Sequence, residues 1–510
     1  YDPHAPYLSH DDLFGDEFAD RPYDAEIAYV DRQVGRLVEF LKARGLEGAT
    51  LVVVVGDHGE GLGEHTEKEH ALMLYNSTLH VPLIARQPGK IPSGRRVSIN
   101  VSLVDLAPTI LDLLGVTERR KISGTSLRPA LAGSDLMPSL CYGATDEPFL
   151  ANGCSPLRSL TENGWKYIRT TRPELYDLAN DPHERQNLAE SDPVKMRAME
   201  ARIAEFESRL VARDQVQVQL SAAERRALAS LGYAGGMKDT PTGAPSANLP
   251  DIKDILPYDL AVEQAEDLVR QGQVDAGLAR LRAIIVEAPR HRGAYLSLAN
   301  ALRDVSRFDE AEAVYRALID LKPNSRDGHF GLGLVLVERG LLDAALTEFS
   351  TVLEIDPEFF EARFHLAKGL ASVGRLYEAL AHFDAVLQVD HRYSPAYQWR
   401  AGVLTNLGRF GAAIADYRRA LEYAPDSAEG HYNLGVLLAE KFDANEGRRH
   451  LSRAVELSPR NAEMRYTLGA YLAQSGQNEQ AIEQLAQALV LKPDYVAAGE
   501  LLAKLKDQTK

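Results

Sequence analysis

Residues 49–70 read ATLVVVVGDHGEGLGEHTEKEH, and this stretch decides the architecture of the N-terminal part. Leu51 to Val55 form an apolar, β-branched run, the composition of a strand buried on both faces. The run stops at Gly56, and Asp57, His58 and Gly59 follow at once. In open α/β sheets, ligands sit at the carboxyl ends of strands, so an Asp and a His just past such a strand are placed to hold a metal. Asp offers a hard oxygen and His a nitrogen, a pair compatible with Ca²⁺, Mn²⁺ or Zn²⁺. Taken alone, the triplet reads as readily as a helix N-terminus capped by Asp57. Its neighbours favour the metal reading. Upstream, PYDAEIAYVDRQVGRLVEFLKARGL (22–46) carries Ile27, Val30, Val34, Leu37, Val38 and Leu41 on one helical stripe leading into the strand.

The second half repeats. Pro289, Pro323, Pro357, Pro425, Pro459 and Pro493 fall on a 34-residue grid, with His391 at the missing mark. Twelve positions before each comes a small residue (Ala311, Ala345, Ala379, Ala413, Gly447, Ala481), and eight before it an aromatic or Leu (Tyr315, Phe349, Phe383, Tyr417, Leu451, Leu485). Small residues let two helices cross closely, and the larger ones fill the groove beside them. Leu302, Leu336, Leu370, Leu404, Leu438 and Leu472 continue the apolar face. The pattern predicts a helix–turn–helix unit repeated about seven times over 258–495. It resembles the tetratricopeptide repeat, an all-α solenoid whose groove takes a protein or peptide partner. Residues 496–510 are expected to cap the stack. GGMKDTPTGAPSANLPD (235–251) is rich in Gly, Pro, Ser and Thr, which predicts a linker over 235–257. Before it, 191–234 reads as a helical extension in which Ser221 and Glu224 are spaced for a capping box.

Bulk properties narrow the function classes. At 510 residues the chain is expected to hold about three domains. No apolar run is long enough to span a bilayer. A net charge of −16 opposes nucleic-acid binding, which needs clustered Lys and Arg. Two cysteines, Cys141 and Cys154, cannot build a disulfide framework or a four-cysteine zinc site, though one bridge stays open. The sequence opens at YDPHAPY without an initiator Met, signal or transit segment, and is expected to begin inside a larger protein.

Laid end to end, HAPY, YDAEIAYVD, GDHGEGLGEH, VPLIARQPGK and VDLAPTILDLLG resemble the sulfatase family of the alkaline-phosphatase-like superfamily. The resemblance covers about 1–190 and only the later part of that family's catalytic domain. It implies an incomplete α/β domain with a C-terminal antiparallel hairpin subdomain, followed by the solenoid. It also implies roles. Asp57 and His58 fall on metal ligands, with Ca²⁺ foremost; His4 falls on an active-site His near the leaving oxygen, and His70 where relatives carry a Lys or His facing the transferred group. A proton donor or cation there stabilises developing charge. His65 and Lys68 read as solvated loop residues, and Glu60 and Glu64 as helix-terminus charges.

Cys154 lies in Cys-Ser-Pro-Leu-Arg, the Cys-x-Pro-x-Arg spacing that in sulfatases surrounds the cysteine converted to formylglycine. It follows the DHG strand by almost a hundred residues, whereas the family's nucleophile precedes that strand. Asn163-Gly164 downstream signals a hairpin, which puts Pro156 to Arg158 on or beside a strand. Cys154 is therefore read as a coincidence, and the formylglycine is expected upstream of Tyr1. The resemblance implies an arylsulfatase-like, metal-dependent hydrolase of sulfate esters, often exported in this family. The alternatives are phosphodiester or phosphonate hydrolysis, phosphoethanolamine transfer, or a non-catalytic sulfatase-like scaffold for the repeats.

Overall fold

The computed structural model describes residues 7–67, 70–117, 122–134, 139–210 and 249–508. They divide into two compact units. The first takes in the described parts of Tyr1–Gln219, Gly236–Asp267 and Arg282–Ala294, the second those of Leu220–Gly235, Leu268–Leu281 and Tyr295–Lys510.

In the first unit, a long helix, Pro22–Ala43, opens with proline in its first turn, where the missing N–H costs nothing. Strand β1 (Val52–Val55) pairs antiparallel with β2 (Leu83–Arg86), Val53 opposite Ala85 and Val54 opposite Ile84. The expectation of a strand buried on both faces is not met. Val55 is 37% and Ile84 59% exposed, and among the described residues this sheet has two strands, whose other residues are half-buried. The predicted apolar stripe of the long helix is partly open: Ile27 and Leu37 are 47% and 65% exposed, while Val30, Val34, Val38 and Leu41 are half-buried.

The hairpin subdomain is closed. Strands β3 (Cys141–Thr145), β4 (Leu157–Glu162), β5 (Trp165–Arg169) and β6 (Glu174–Asp177) form an antiparallel meander in sequence order. Asn163 and Gly164 join β4 to β5 with φ of 52° and 79°, the pair of left-handed residues that a tight two-residue hairpin needs. Leu160, Tyr167 and Leu175 stand opposite one another across three strands and pack under Met199 and Ile203 of the helix Pro193–Ser208. Leu157, Ile168 and Tyr176 serve the other face, covered by Met73, Leu74 and Tyr75 and by Ile252, Ile255 and Leu256. Lys166 on β5 is fully buried and held by Glu184 at 2.6 Å and by Asn76 Oδ1 at 3.0 Å.

The span 235–257 thus departs from a linker at its C-terminal end. Pro250 to Leu256 form part of the subdomain core, since three large aliphatic side chains supply burial that the polar composition of the preceding stretch masks. Residues 235–248, Ser221 and Glu224 lie outside the described residues.

The second unit is built from helix–turn–helix pairs. About fourteen helices run in succession from Leu256–Arg270, most of which belongs to the first unit, to Asn478–Leu491, and Val496–Gln508 follows them. Every grid residue lies where the pattern placed it. Ala311, Ala345, Ala379, Ala413 and Ala481 are buried at the crossings, and Tyr315, Phe349, Phe383, Tyr417, Leu451 and Leu485 fill the spaces between helices. Gly447 is the one glycine in the small-residue column. A Cβ there would lie 2.5 Å from the backbone nitrogen of Ala439, so that helix pair approaches more closely than alanine allows. At five of the turns between repeats, the side chain six residues after the grid position donates to the grid carbonyl. His329 serves Pro323, Arg363 serves Pro357, Tyr397 serves His391, His431 serves Pro425 and Arg465 serves Pro459, at 2.5–3.2 Å. These carbonyls follow helix ends, where backbone acceptors lack intrahelical donors.

Candidate functional site

Beyond β1 the chain makes a bend through Asp57 and His58 instead of starting a helix. Two backbone bonds set its course, Gly56 N to Pro82 O (3.2 Å) and Gly59 N to Thr78 O (2.8 Å). Gly59 is required there: a Cβ would stand 2.1 Å from the carbonyl oxygen of Ser77. The bend is therefore pressed against the turn Asn76–Leu79, and the side chains of Asp57 and His58 project from a fixed backbone.

Asp57 Oδ1 accepts the His58 N–H at 3.0 Å, while Oδ2 lies 3.8 Å from His58 Nε2. His58 Nδ1 faces the Gly59 carbonyl at 2.9 Å. A carbonyl only accepts, so Nδ1 donates to it, and Nε2 is the nitrogen on the Asp57 side from which the ring could meet a metal. This is the tautomer and support that a metal-binding histidine needs. His70 stacks on His58 with ring centres 4.0 Å apart. Its Nδ1 stands 3.5 Å from Glu60 Oε1, and the Glu60 side chain is 4% exposed. The fold thus brings Asp57, His58 and His70 together. His4 and Lys68 lie outside the described residues.

Glu60 was expected at a helix terminus. It sits instead in the bend and faces His70, because the loop folds back on itself ten residues later. Glu64 does occupy the first position of a short 3₁₀ turn, Glu64–Thr66, and accepts from Leu62 N. His65 is not a solvated loop residue. Its ring stacks on Tyr75 at 3.7 Å and its Nε2 lies 3.2 Å from the His183 carbonyl. Glu67, absent from the sequence reading, is 2% exposed and accepts from both Leu72 N (2.9 Å) and Met73 N (2.8 Å) through Oε1. Burial pushes its carboxyl up to about 7, against the pull of those two N–H groups and helped by the charge of Glu60. It clasps the loop that carries His70. A polar run such as GEHTEKEH gives no signal of such burial.

Among the described residues no group of three or more His, Cys, Asp or Glu side chains is arranged to hold a metal ion; Asp57 and His58 are two neighbouring candidate donors. Cys154 is fully buried in the core beside Leu157 and Ile168. Burial pushes its thiol up to about 12, which leaves it without nucleophilic character at neutral pH.

A family model described as Sulfatase matches residues 3–116, and one described as N-sulphoglucosamine sulphohydrolase, C-terminal, matches 63–210. Tetratricopeptide-repeat models match 262–326, 296–358, 330–397, 401–441 and 443–496. Arylsulfatase K of Xenopus laevis is 34% identical over 192 residues, which cover 36% of this chain and 35% of that protein. Arylsulfatase K of Homo sapiens is 34% identical over 182 residues, 34% of this chain and 33% of that protein. The chain thus spans about a third of the length of these curated relatives. A solved tetratricopeptide repeat protein from Parabacteroides merdae overlaps 49% of this chain and 98% of its own at 18% identity, with a TM-score of 0.41. No described helix is long and apolar enough to cross a membrane. The chain joins the C-terminal part of a sulfatase-family domain to an array of tetratricopeptide repeats.

Proposed function

We propose that the sulfatase-like unit is part of a metal-dependent hydrolase of sulfate esters, and that the repeats bind a protein or peptide partner. The observation that carries the first half is the convergence of Asp57, His58 and His70 on the loop that follows β1, with Glu60 behind His70. Asp57 and His58 are the residues that would hold a divalent cation, Ca²⁺ foremost, with Mn²⁺ or Zn²⁺ as alternatives. Bound there, the cation would supply positive charge opposite the sulfate oxygens. The Gly59 carbonyl fixes the ring of His58. Glu60, buried 3.5 Å from His70 Nδ1, orients the ring, and His70 is proposed to serve as proton donor to the ester oxygen that must leave. His4 is proposed to act on the same oxygen. The attacking group is proposed to be a formylglycine N-terminal to this sequence in the natural protein, since Cys154 is locked in a core.

The test uses the natural full-length protein with an aryl sulfate and an aryl phosphodiester. Sulfate turnover that falls by about 10²-fold or more in Asp57→Ala and in His70→Ala supports the reading. Mass spectrometry of the same sample, looking for a cysteine converted to the aldehyde, checks the nucleophile. A preference for the phosphodiester, or sulfate turnover indifferent to both substitutions, overturns it. The repeat groove is tested separately by peptide-array binding.

A further inference from the structure

The segment that leads into the repeats is tied to the loop that carries the site. Asp251 is buried, and its Oδ2 accepts from Thr170 Oγ1 (2.5 Å), Thr171 Oγ1 (3.0 Å) and Arg172 N (3.2 Å). Its Oδ1 accepts from Lys253 N at 3.0 Å and caps the short turn Ile252–Asp254. Ser155 N donates to the Pro250 carbonyl, and Arg172 reaches Asp254 at 2.6 Å. These bonds hold the Lys253 side chain over the end of β6, where Nζ meets Glu174 Oε1 at 2.5 Å and the Arg172 carbonyl at 3.1 Å.

Glu174 is 3% exposed, and its second oxygen accepts two phenol protons, from Tyr75 at 2.6 Å and from Tyr176 at 2.5 Å. The ring of Tyr75 is the surface on which His65 stacks, and His65 holds a left-handed backbone with φ of 53°. A non-glycine residue takes that conformation at a cost, and only when its surroundings enforce it. A buried carboxylate is stable as an acceptor only with a counter-charge. Lys166 lies within electrostatic reach, and the direct contact comes from Lys253, a residue outside the matched sulfatase-family span, which ends at 210.

We propose that Lys253 is a positioning residue for the site loop 61–75, acting through Glu174 and Tyr75. Without its ammonium, Glu174 loses the partner that fixes its carboxylate in place as a double acceptor. Tyr75 then loses its anchor, and the stack that holds His65, and with it the turn leading to His70, loosens. The segment through which the repeats are attached is in this way a working part of the loop. The functional consequence rests on the sulfatase reading of that loop; the structural claim stands without it.

The experiment is hydrogen exchange with mass spectrometry on the full chain, comparing Lys253→Met, Lys253→Arg and Tyr75→Phe with the parent. It needs no substrate, so its outcome is independent of which ester is cleaved. The expected result is amide exchange in 61–75 faster by roughly tenfold or more in Lys253→Met, with β4 and β5 unchanged. Lys253→Arg restores slow exchange. Tyr75→Phe keeps the ring in the core, reproduces the local change, and serves as the test if Lys253→Met does not fold. Unchanged exchange in 61–75 overturns the proposal, and so does an equal acceleration in β4 and β5, which would mark a general loss of stability.

Discussion

The two units close their cores by opposite means. Each helix pair of the repeats covers its neighbour, so the buried column from Ala311 to Ala481 needs partners only one repeat away. In the sulfatase-like unit the hairpin sheet is covered on both faces, but the β1–β2 pair leaves Val55 and Ile84 substantially exposed, and the long helix leaves Leu37 and Phe40 so. A solenoid completes its burial locally, whereas an α/β layer depends on elements distant in sequence. The chain spans about a third of its curated relatives, and the difference between the units follows the range over which each fold must collect its contacts.

Three measurements break or sharpen this comparison. Trp165 in the hairpin and Trp399 in the repeats are the chain's two tryptophans, so a phenylalanine at one leaves the other to report its own unit. The largest effect is expected for Lys166→Met, which strands Glu184 without a counter-charge in a closed core and costs about 3–5 kcal/mol. Urea unfolding followed by Trp165 should show the loss, the Trp399 transition should stay in place, and adding Glu184→Gln should recover most of it. A matching shift in both transitions would mean the units unfold as one.

The second concerns His365, packed among Phe330, Phe349 and Phe364. Burial, with Lys368 assisting, lowers its pKa from 6.5 to about 4. Between those values the unfolded chain binds a proton that the folded one refuses. The contribution is therefore intact above pH 6.5 and disappears as pH falls through 4, at most about 3 kcal/mol. His365→Phe should flatten the decline of the Trp399 urea midpoint between pH 6.5 and 4. An unchanged slope would remove His365 as its source. The smallest effect belongs to the open face: Leu37→Ala, at a position 65% exposed, should change stability by less than about 0.5 kcal/mol. A loss of core size, measured by the Trp165 transition, would show that the face is covered in solution.

The same contrast explains what could be read in the sequence. Repeat length, crossing residues and core rings were all visible because their partners recur at a fixed spacing. The strand before Asp57 and the turn at Asn163-Gly164 were visible because backbone rules act over a few residues. Glu60 and Glu67 were not, since both are acids in a polar loop whose burial comes from a chain reversal and from contacts with Leu72 and Met73. Asp251 and Lys253 were concealed inside a stretch whose composition is that of a linker. Long-range burial leaves no periodic trace, and the candidate site is built mostly from such contacts.

From Pro323 to Pro459, the carbonyl at five successive repeat boundaries is answered by histidine, arginine, tyrosine, histidine and arginine in turn. What is preserved across these five seams is thus a proton pointing in one direction, not a residue. Read as letters, the column looks like drift; read as chemistry, it is constant. Substitutions there should sort into two kinds, those that exchange one donor for another and pass unnoticed, and those that delete the donor and leave one seam of the array unsewn.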